Sequence, residues 1–321
     1  MKAIVSERYG PPDALELRNV DRPALEDHQL LIRVHASSVN PADWYRVHGP
    51  FFARLPSGVR RPKQTSVGTD LAGVVEAVGN DVTELAPGDE VFGTGLGAWA
   101  EYAVAREPRL VRKPANVSFA EAAAVPIAAI TALQALRDHG RVEAGQKVLI
   151  NGAAGGVGTY AVQLAKHFGA HVTAVCSTQN VELVRSLGAD RVVDYTQEDF
   201  TRLSDRYDLM LDVAGSRPFR QFRRVLKPDA TIIGVGAPMS ARGLGPLKHL
   251  IGLRLTALGR SQRVVNFVAK ITKDDLEVMR GLLEAGSIKS AIDRRYELSD
   301  VPDALRYLGT CHARAKVVIT M

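Results

Sequence analysis

Apolar runs alternate with polar and glycine-rich segments through the middle of the chain, and this pattern predicts alternating strands and helices. The predicted strands are Lys147–Asn151, His171–Ser177, Arg191–Tyr195, Tyr207–Val213 and Ala230–Gly236. The predicted helices lie between them, near residues 157–168, 180–187, 197–202 and 217–226. Regular alternation of this kind is typical of a doubly wound parallel sheet. A further apolar run, Leu253–Leu258, is a candidate sixth strand.

The first 118 residues have a different pattern, in which short β-type runs are separated by proline and glycine turns. The predicted strands are Lys2–Val5, Gln29–His35, Thr69–Val78 and Glu90–Phe92. No long helix is predicted there, and we expect an irregular, barrel-like β domain. Ser118-Phe-Ala-Glu121 is a capping box that marks the change to helix.

The pattern changes again after residue 265. An amphipathic helix is predicted at Asp274–Ala285, a capped helix at Ser299–Leu308 and a last strand at Lys316–Thr320. These elements do not continue the strand–helix alternation, so we expect them to complete the first domain. The predicted organisation is a β domain over residues 1–120, an α/β domain over 121–265 and a return segment over 266–321.

A glycine-rich turn joins the first predicted strand of the α/β domain to its first helix. Strand, glycine turn and helix in this order form the first unit of a dinucleotide-binding fold, in which the helix N-terminus holds a pyrophosphate. The candidate cofactor-binding residues are Gly155, Gly156, Val157 and Gly158. The alternative is a plain strand–helix turn that needs glycine only for close packing.

Composition narrows the function classes. The chain has 321 residues, is 46% hydrophobic and 24% charged, and carries a formal charge of +6. These values are typical of a globular protein, and no apolar run reaches the length of a membrane span. No basic stripe with interleaved aromatic residues indicates a nucleic-acid partner. The N-terminus has no signal-peptide pattern, so we expect a cytoplasmic protein without nucleic-acid or membrane partners.

The two cysteines, Cys176 and Cys311, are too few for a disulfide framework or a four-thiolate zinc lobe. Both lie in apolar contexts near predicted strands. We therefore predict that both are buried structural thiols.

Several motifs together resemble the zinc-free, zeta-crystallin-like quinone oxidoreductases of the medium-chain dehydrogenase/reductase superfamily. The motifs are Ser38–Asp43, Gly68–Glu76, Pro87–Gly93, Asn151–Gly158, Leu187–Asp190 and His312–Lys316. The resemblance covers almost the whole chain. It implies an α/β fold with a GroES-like β-barrel catalytic domain, an inserted Rossmann domain with a doubly wound parallel sheet, and a homodimer joined through the Rossmann sheets.

The metal ligands of zinc-dependent relatives are missing. Those enzymes carry an early cysteine ligand and a Gly-His-Glu motif, whereas this chain has Gly68-Thr69-Asp70 and no cysteine before position 176. A site with cysteine, histidine and carboxylate ligands cannot be assembled, so no metal is predicted. We expect His35, His48 and the other histidines to be surface or core residues.

The end of the second Rossmann strand governs cofactor preference, because NAD-specific enzymes place a carboxylate there. This chain has Val175-Cys-Ser-Thr178, which does not repel a 2′-phosphate. Ser177 and Thr178 are candidate hydroxyl donors to it. Tyr195 matches a residue that lines this pocket in relatives.

Relatives add a lysine or arginine after this strand, whereas this chain has Gln179 and Asn180. Charge-assisted bonds to phosphate are stronger than neutral ones, so this departure weakens the preference. Lys316 or Arg185 is a candidate for the missing charge, with a solvated surface cation as the alternative for each. NADPH is the predicted cofactor, and NADH is the alternative.

The resemblance places Asn40 and Tyr45 beside the nicotinamide as catalytic candidates. Asn40 precedes a proline, which favours extended backbone, and its amide is a candidate donor to a substrate carbonyl. The phenol of Tyr45 is a candidate donor of a hydrogen bond or proton. The alternatives are a turn residue at position 40 and an interfacial aromatic at position 45. Asp43 is a weaker candidate, since a turn or cap role explains it equally well.

Four further residues are candidates for the site, one of them from the resemblance. Thr131 matches a threonine near the nicotinamide in relatives, with a helix threonine bonded to its own backbone as the alternative. Trp44 and the pair Phe51-Phe52 are candidates for an apolar wall against a flat substrate, or are exposed loop aromatics.

Reduction of a quinone or activated enone suits a metal-free site, because the substrate's own carbonyl takes up the negative charge. The predicted function is therefore NADPH-dependent hydride transfer to such a substrate. A 2-enoyl thioester reductase is the enzymatic alternative, with Arg54, Arg60, Arg61 and Lys63 as candidate phosphopantetheine contacts. A non-catalytic NADPH-binding or redox-sensing protein is the other alternative.

Overall fold

The computed structural model describes residues 1–50, 54, 58–215, 217–235 and 261–321. The chain forms two compact units. Unit 1 comprises residues 1–130 and 271–321, and unit 2 comprises residues 131–270. The C-terminal segment thus belongs to the same unit as the N-terminal one.

The described strands and helices are numbered in chain order. The strands are β1 (Lys2–Val5), β2 (Glu16–Asn19), β3 (Gln29–Val39), β4 (Asp70–Val78), β5 (Glu90–Thr94), β6 (Tyr102–Arg106), β7 (Leu110–Arg112), β8 (Lys147–Asn151), β9 (His171–Cys176), β10 (Arg191–Asp194), β11 (Tyr207–Asp212), β12 (Leu226–Gly234), β13 (Arg263–Asn266), β14 (Ile292–Glu297) and β15 (Lys316–Thr320). The helices are α1 (Pro41–His48), α2 (Phe119–Ala123), α3 (Pro126–Gln134), α4 (Gly156–His167), α5 (Val181–Ser186), α6 (Phe219–Phe222), α7 (Lys273–Glu284) and α8 (Val301–Gly309).

Unit 1 is built on a seven-stranded sheet. Its order is β14-β15-β3-β4-β5-β7, and β6 also pairs with β3. The last strand, β15, runs antiparallel to β3, with Val318 opposite Ser38. Ile319 of β15 packs in a core that also includes Ile4 of β1 and Trp99. Strands β15, β3 and β4 therefore form a continuous frame of neighbours.

Unit 2 contains a six-stranded sheet whose order is β10-β9-β8-β11-β12-β13. Every neighbouring pair is parallel. Counted from β8, this order is that of a dinucleotide-binding Rossmann sheet. The predicted fold class is confirmed.

Some element boundaries match the predictions and others do not. Strands β1, β8 and β15 have the predicted bounds. The helix predicted at 197–202 is only a short 3₁₀ turn, Phe200–Arg202. The helix predicted at 217–226 is shorter, because the chain enters β12 at Leu226. Helix α1 was not among the predictions.

The candidate strand Leu253–Leu258 lies outside the described residues, as does the pair Phe51-Phe52. The sixth position of the parallel sheet belongs to β13.

The prediction for the two cysteines is half right. Cys176 is buried at the end of β9, and burial raises the pKa of its thiol to about 11. The prediction that Cys311 is buried is wrong, because this residue is exposed. It follows the end of α8 in a left-handed conformation, φ +60°, where the chain turns at the surface.

Across the described ranges, no helix is long and apolar enough to cross a membrane.

Candidate active site

Helix α1 positions the two predicted catalytic residues, and its sequence explains where it begins and ends. Asn40 is the N-cap, with extended backbone at φ −133° and ψ 157°, as its place before Pro41 predicts. Pro41 occupies the first helical position, which favours proline. Gly49 ends the helix at φ +60°, and a Cβ there would collide with the ring of Tyr9.

Asp43 is buried in the first turn of α1 and serves as a cap. Its Oδ2 accepts a hydrogen bond from the backbone N–H of Asn40 at 2.9 Å, and its Oδ1 accepts one from the Thr69 hydroxyl at 3.2 Å. Burial, reinforced by the nearby Asp70 carboxylate, raises the pKa of Asp43 to about 6. The cap role therefore comes with a carboxyl that titrates close to neutral pH.

The side-chain amide of Asn40 is held inside unit 1 by two charged partners. Its Nδ2 donates to Asp70 Oδ2 at 2.9 Å, and its Oδ1 accepts from Lys316 Nζ at 2.6 Å. Asn40 is only 2% exposed. The amide belongs to a buried polar network, and the same residue is also the N-cap of α1.

Asp70 lies at the centre of this network, at the start of β4. Its Oδ2 accepts from the Ser38 hydroxyl at 2.7 Å and lies 3.6 Å from Lys316 Nζ. Its Oδ1 accepts from the backbone N–H of Ile127, in the first turn of α3, at 3.2 Å. Burial raises the pKa of Asp70 and lowers that of Lys316, and the attraction between the two opposes both changes.

Tyr45 lies two residues beyond Asp43 on α1 and is partly exposed. Burial, and secondarily the nearby Cys311, raises the pKa of its phenol above the ordinary value. The phenol therefore keeps its proton at neutral pH and can donate it or a hydrogen bond.

Trp44 packs within unit 1. Its ring stacks on His48 with 3.7 Å between centroids, and a Cβ at Gly309 would collide with it. These contacts fix the ring against α1 and α8. A wall role for Trp44 stays a prediction.

The glycine turn between β8 and α4 has two different kinds of glycine. A Cβ on Gly158 would collide with the carbonyl oxygen of Gly152, so close packing requires glycine there. A Cβ on Gly155 would meet only that same oxygen, at 3.5 Å, which is ordinary contact. Gly155 is also the N-cap of α4 and provides no side-chain cap. The turn therefore leaves an open approach to the N–H groups of the first helical turn, which suits a phosphate.

The hydroxyls after β9 have distinct partners. Thr178 donates to Asp194 Oδ2 at 2.6 Å, and this bond holds the pKa of Asp194 below its usual range. Ser177 Oγ accepts from Asn180 Nδ2 at 3.0 Å, so its own proton remains to be donated. No carboxylate occupies positions 177 or 178, as the sequence predicts for a site that accepts a 2′-phosphate.

The structure brings some predicted cofactor residues together and separates others. Tyr195 is 52% exposed beyond β10, and its N–H donates to the carbonyl of Cys176, next to Ser177.

Arg185 is exposed and paired with Glu182, as expected of a surface cation. Thr131 lies in α3 and is partly exposed. Lys316 is 3% exposed, and its ammonium group is bonded to Asn40.

The roles of Asp70 and Lys316 in the Asn40 network were not predicted. Each is an ionisable residue at the start of an apolar strand, Asp70-Leu-Ala and Lys316-Val-Val. A charged residue on a buried strand requires a partner, because isolated buried charges are costly. The strand pattern therefore predicts that each of these two charged residues has a buried partner. It does not predict that both contact the side chain of Asn40.

Comparisons with known proteins show which family the chain resembles. The alcohol dehydrogenase GroES-like domain family matches residues 26–115, and the zinc-binding dehydrogenase family matches residues 187–319. The chain is 36% identical to an NADPH-dependent alkenal/one oxidoreductase of Arabidopsis thaliana, covering 99% of this chain and 79% of that protein. It is 34% identical to a chloroplast envelope quinone oxidoreductase homolog of the same plant, covering 99% and 98%. The solved quinone oxidoreductase of Coxiella burnetii is 31% identical, with a TM-score of 0.88 over 100% of this chain and 99% of that one.

The chain belongs to the zinc-free quinone oxidoreductase branch of the medium-chain dehydrogenase/reductase superfamily. The resemblance inferred from its motifs is confirmed. In this zinc-free quinone oxidoreductase, the Asp70 carboxylate accepts hydrogen bonds from the Ser38 hydroxyl and from the Asn40 side-chain amide. Within the described part of the chain, no group of three or more histidine, cysteine, aspartate or glutamate side chains is arranged to hold a metal.

Proposed function

We propose that this protein is an NADPH-dependent oxidoreductase that reduces quinones or activated enones without a metal. The observation that carries the proposal is the pairing of an open glycine turn with a hydroxyl-ended β9 in unit 2. This arrangement accepts a dinucleotide and its 2′-phosphate. Relatives named as alkenal/one and quinone oxidoreductases, at 36% and 34% identity, support the same reaction class.

The residues of unit 2 fit the cofactor. Gly155, Gly156, Val157 and Gly158 would hold the pyrophosphate through backbone N–H groups at the start of α4. Ser177 would donate to the 2′-phosphate, with Tyr195 beside it. When bound, NADPH supplies the hydride. The cradle belongs entirely to this chain, and no side chain of the described residues caps it.

The residues of unit 1 supply hydrogen bonds rather than redox chemistry. Asn40 and Tyr45 are the donors we assign to the substrate carbonyl, which gains negative charge as hydride arrives on the electrophilic carbon. Tyr45 is protonated at neutral pH and can return a proton to the reduced substrate. Lys316 is assigned to the Asn40 network instead of the cofactor, because its charge is balanced by Asp70.

A substrate panel tests the proposal. NADPH oxidation is followed by absorbance with 1,4-benzoquinone, an alkenal, an enone and a crotonyl thioester, each also with NADH. We expect quinone and enone turnover with NADPH. Turnover of the thioester alone would favour the acyl reductase, for which Arg60, Arg61 and Lys63 are exposed. NADPH binding without turnover of any acceptor would favour a sensor.

We also propose a cytoplasmic homodimer joined through the parallel sheets of unit 2. Strand β13 supports this arrangement, since within the described ranges it pairs with β12 alone. An edge strand is a natural site for sheet extension. Light scattering should give about twice the 34.7 kDa chain mass, and a mass equal to one chain would contradict it.

A further inference from the structure

The side-chain amide of Asn40 contacts both members of a buried ion pair. Lys316 Nζ and Asp70 Oδ2 are 3.6 Å apart, and their side chains are 3% and 0% exposed. The lysine donates to Asn40 Oδ1 at 2.6 Å, and the carboxylate accepts from Asn40 Nδ2 at 2.9 Å. Each end of one neutral amide therefore contacts a group of opposite charge.

These charges permit one orientation of the amide. A lysine can only donate, and a carboxylate can only accept. Rotating the Asn40 amide by half a turn would place its N–H groups against Lys316 and its oxygen against Asp70. Both contacts would then be repulsive, so Oδ1 must face the lysine.

The two charged residues are themselves held by a rigid frame. Lys316 begins β15, Asp70 begins β4, and Asn40 follows β3, which lies between those strands in the sheet. Asp70 is fixed further by the Ser38 hydroxyl and by the N–H of Ile127. The positions of the two charged groups are therefore set by neighbouring strands of one sheet.

A buried ion pair is a poor device for stability alone. Desolvation of the two charges offsets much of their attraction, and apolar residues of similar volume often stabilise a core as well. The amide of Asn40 has two N–H bonds, and among the described residues Asp70 is the acceptor for this group. Among the described residues no second acceptor binds this amide, so its other N–H is unused within that part of the chain.

We propose that Lys316 and Asp70 are positioning residues that orient the Asn40 amide so that it can donate to the carbonyl oxygen of a bound quinone or enone. The catalytic part of this inference rests on the proposed function. The orientation itself is a property of the free protein. The Lys316 bond also withdraws electron density from the amide, which makes its remaining N–H a stronger donor.

Side-chain amide NMR tests the orientation without any substrate. The chain has seven asparagines, so selective ¹⁵N labelling gives few signals to assign. We expect K316M to shift the Asn40 Nδ2 signals and to accelerate their hydrogen exchange by about tenfold or more. The variant D70N/K316M removes both charges, which avoids an unpaired buried carboxylate, and should show the same change. Lys113, whose side chain is 6% exposed and paired with Glu90, provides the matched control K113M, which should leave the Asn40 signals unchanged.

Kinetics test the consequence. K316M should lower kcat for an enone by about tenfold, a smaller loss than removal of the Asn40 donor itself should cause, because the amide remains but is no longer held in one orientation. Its NADPH affinity, measured by fluorescence, should stay within about twofold. K316R should keep most of the activity, because it restores a donor and a charge. K316M in an N40A background should cause no further loss, since the amide it positions is already gone.

The outcomes separate the possibilities. Unchanged Asn40 amide signals in both K316M and D70N/K316M would overturn the proposal, whatever the rates are. Loss of NADPH affinity by K316M with unchanged amide signals would return Lys316 to the cofactor site and would also overturn it. A wild-type protein that reduces no quinone or enone would refute the proposed function, while the amide measurement would still decide the orientation.

Discussion

The two hydroxyls after β9 look equivalent in sequence but differ in the structure. Thr178 donates to the ionised Asp194, so its proton is already used. Ser177 accepts from Asn180, so its own proton is available. Of these two hydroxyls, Ser177 is therefore the one we propose as the donor to the 2′-phosphate.

We predict that NADPH binds at least about tenfold more tightly than NADH, and that S177D reverses or erases this preference. The added carboxylate would repel the 2′-phosphate and accept from a free 2′-hydroxyl. S177A should weaken NADPH more than NADH, whereas T178V, one residue further on, should have a smaller effect. Fluorescence titration of both cofactors measures this. If the wild-type protein binds NADPH and NADH equally tightly, the replacement of a lysine or arginine by Gln179 and Asn180 has abolished recognition of the 2′-phosphate.

N40A and Y45F should lower turnover more than they weaken cofactor binding. Each removes a donor aimed at charge that develops mainly in the transition state, so kcat and kcat/KM fall together. One such donor can contribute about 100-fold, and a reactive quinone needs less help than an enone. Steady-state kinetics with both substrate types provide the measurement. Wild-type rates for both variants on both substrates would make these residues structural.

Local sequence explains the backbone at these positions, but it does not explain the side-chain contacts. Pro41 predicts the extended Asn40, and the spacing of Asn40 and Asp43 allows a cap, and both features are present. The bond from Lys316 to Asn40 joins residues 276 positions apart. No periodicity or motif spacing connects them, and only the pairing of β15 with β3 brings them together.

At the scale of an element, the turn between β8 and α4 offers a matched pair of glycines. We expect G155V to fold and lose NADPH binding, because its side chain would enter the space left for the pyrophosphate. G158V should instead lower the melting temperature, since its Cβ would collide with the backbone of Gly152. Circular dichroism and NADPH titration on both variants distinguish the two roles. Unchanged affinity in folded G155V would refute the phosphate cradle.

The cap of α1 should make stability depend on pH. The pKa of Asp43 is about 6 in the folded chain and 3.8 when unperturbed, so the folded state holds its proton more tightly. The favourable contribution of the neutral carboxyl is complete below about pH 4 and disappears as the pH rises to about 6. D43N stays neutral, so the stability difference between D43N and wild type should grow in favour of D43N over that window, by up to about 3 kcal/mol.

Urea unfolding of wild type and D43N at intervals from about pH 4 to pH 8 measures this difference. A constant difference across the range would show that Asp43 does not titrate there.

Short elements were the hardest to predict. Helix α1 has only eight residues, too few for a clear apolar period, although Pro41 and Gly49 mark its ends. The helix predicted at 197–202 fails because Asp199 caps a single 3₁₀ turn at Thr201. Strands β8, β9 and β11 lie within one residue of their predicted bounds, because burial on both faces makes them continuous apolar runs. Strand β12 instead begins at Leu226, four residues before its predicted start.

For the whole molecule, we predict that the purified protein holds no stoichiometric zinc and that chelators leave NADPH oxidation intact. Thr69 stands where zinc-dependent relatives have histidine, and its hydroxyl donates to Asp43. Asp70 is similarly engaged with Asn40 and Lys316. Elemental analysis after dialysis is the measurement, and one tightly held zinc per chain would contradict the ligand argument.

The position of Lys316 has a consequence for biosynthesis. The ribosome must translate all of unit 2, residues 131–270, before it reaches the lysine that balances Asp70. At about 5–20 residues per second, the N-terminal part of unit 1 waits many seconds with β3 lacking its neighbour β15. Unit 2 is continuous in sequence and can fold during that interval, so the nascent chain is expected to complete its nucleotide-binding half first and its Asn40 network last.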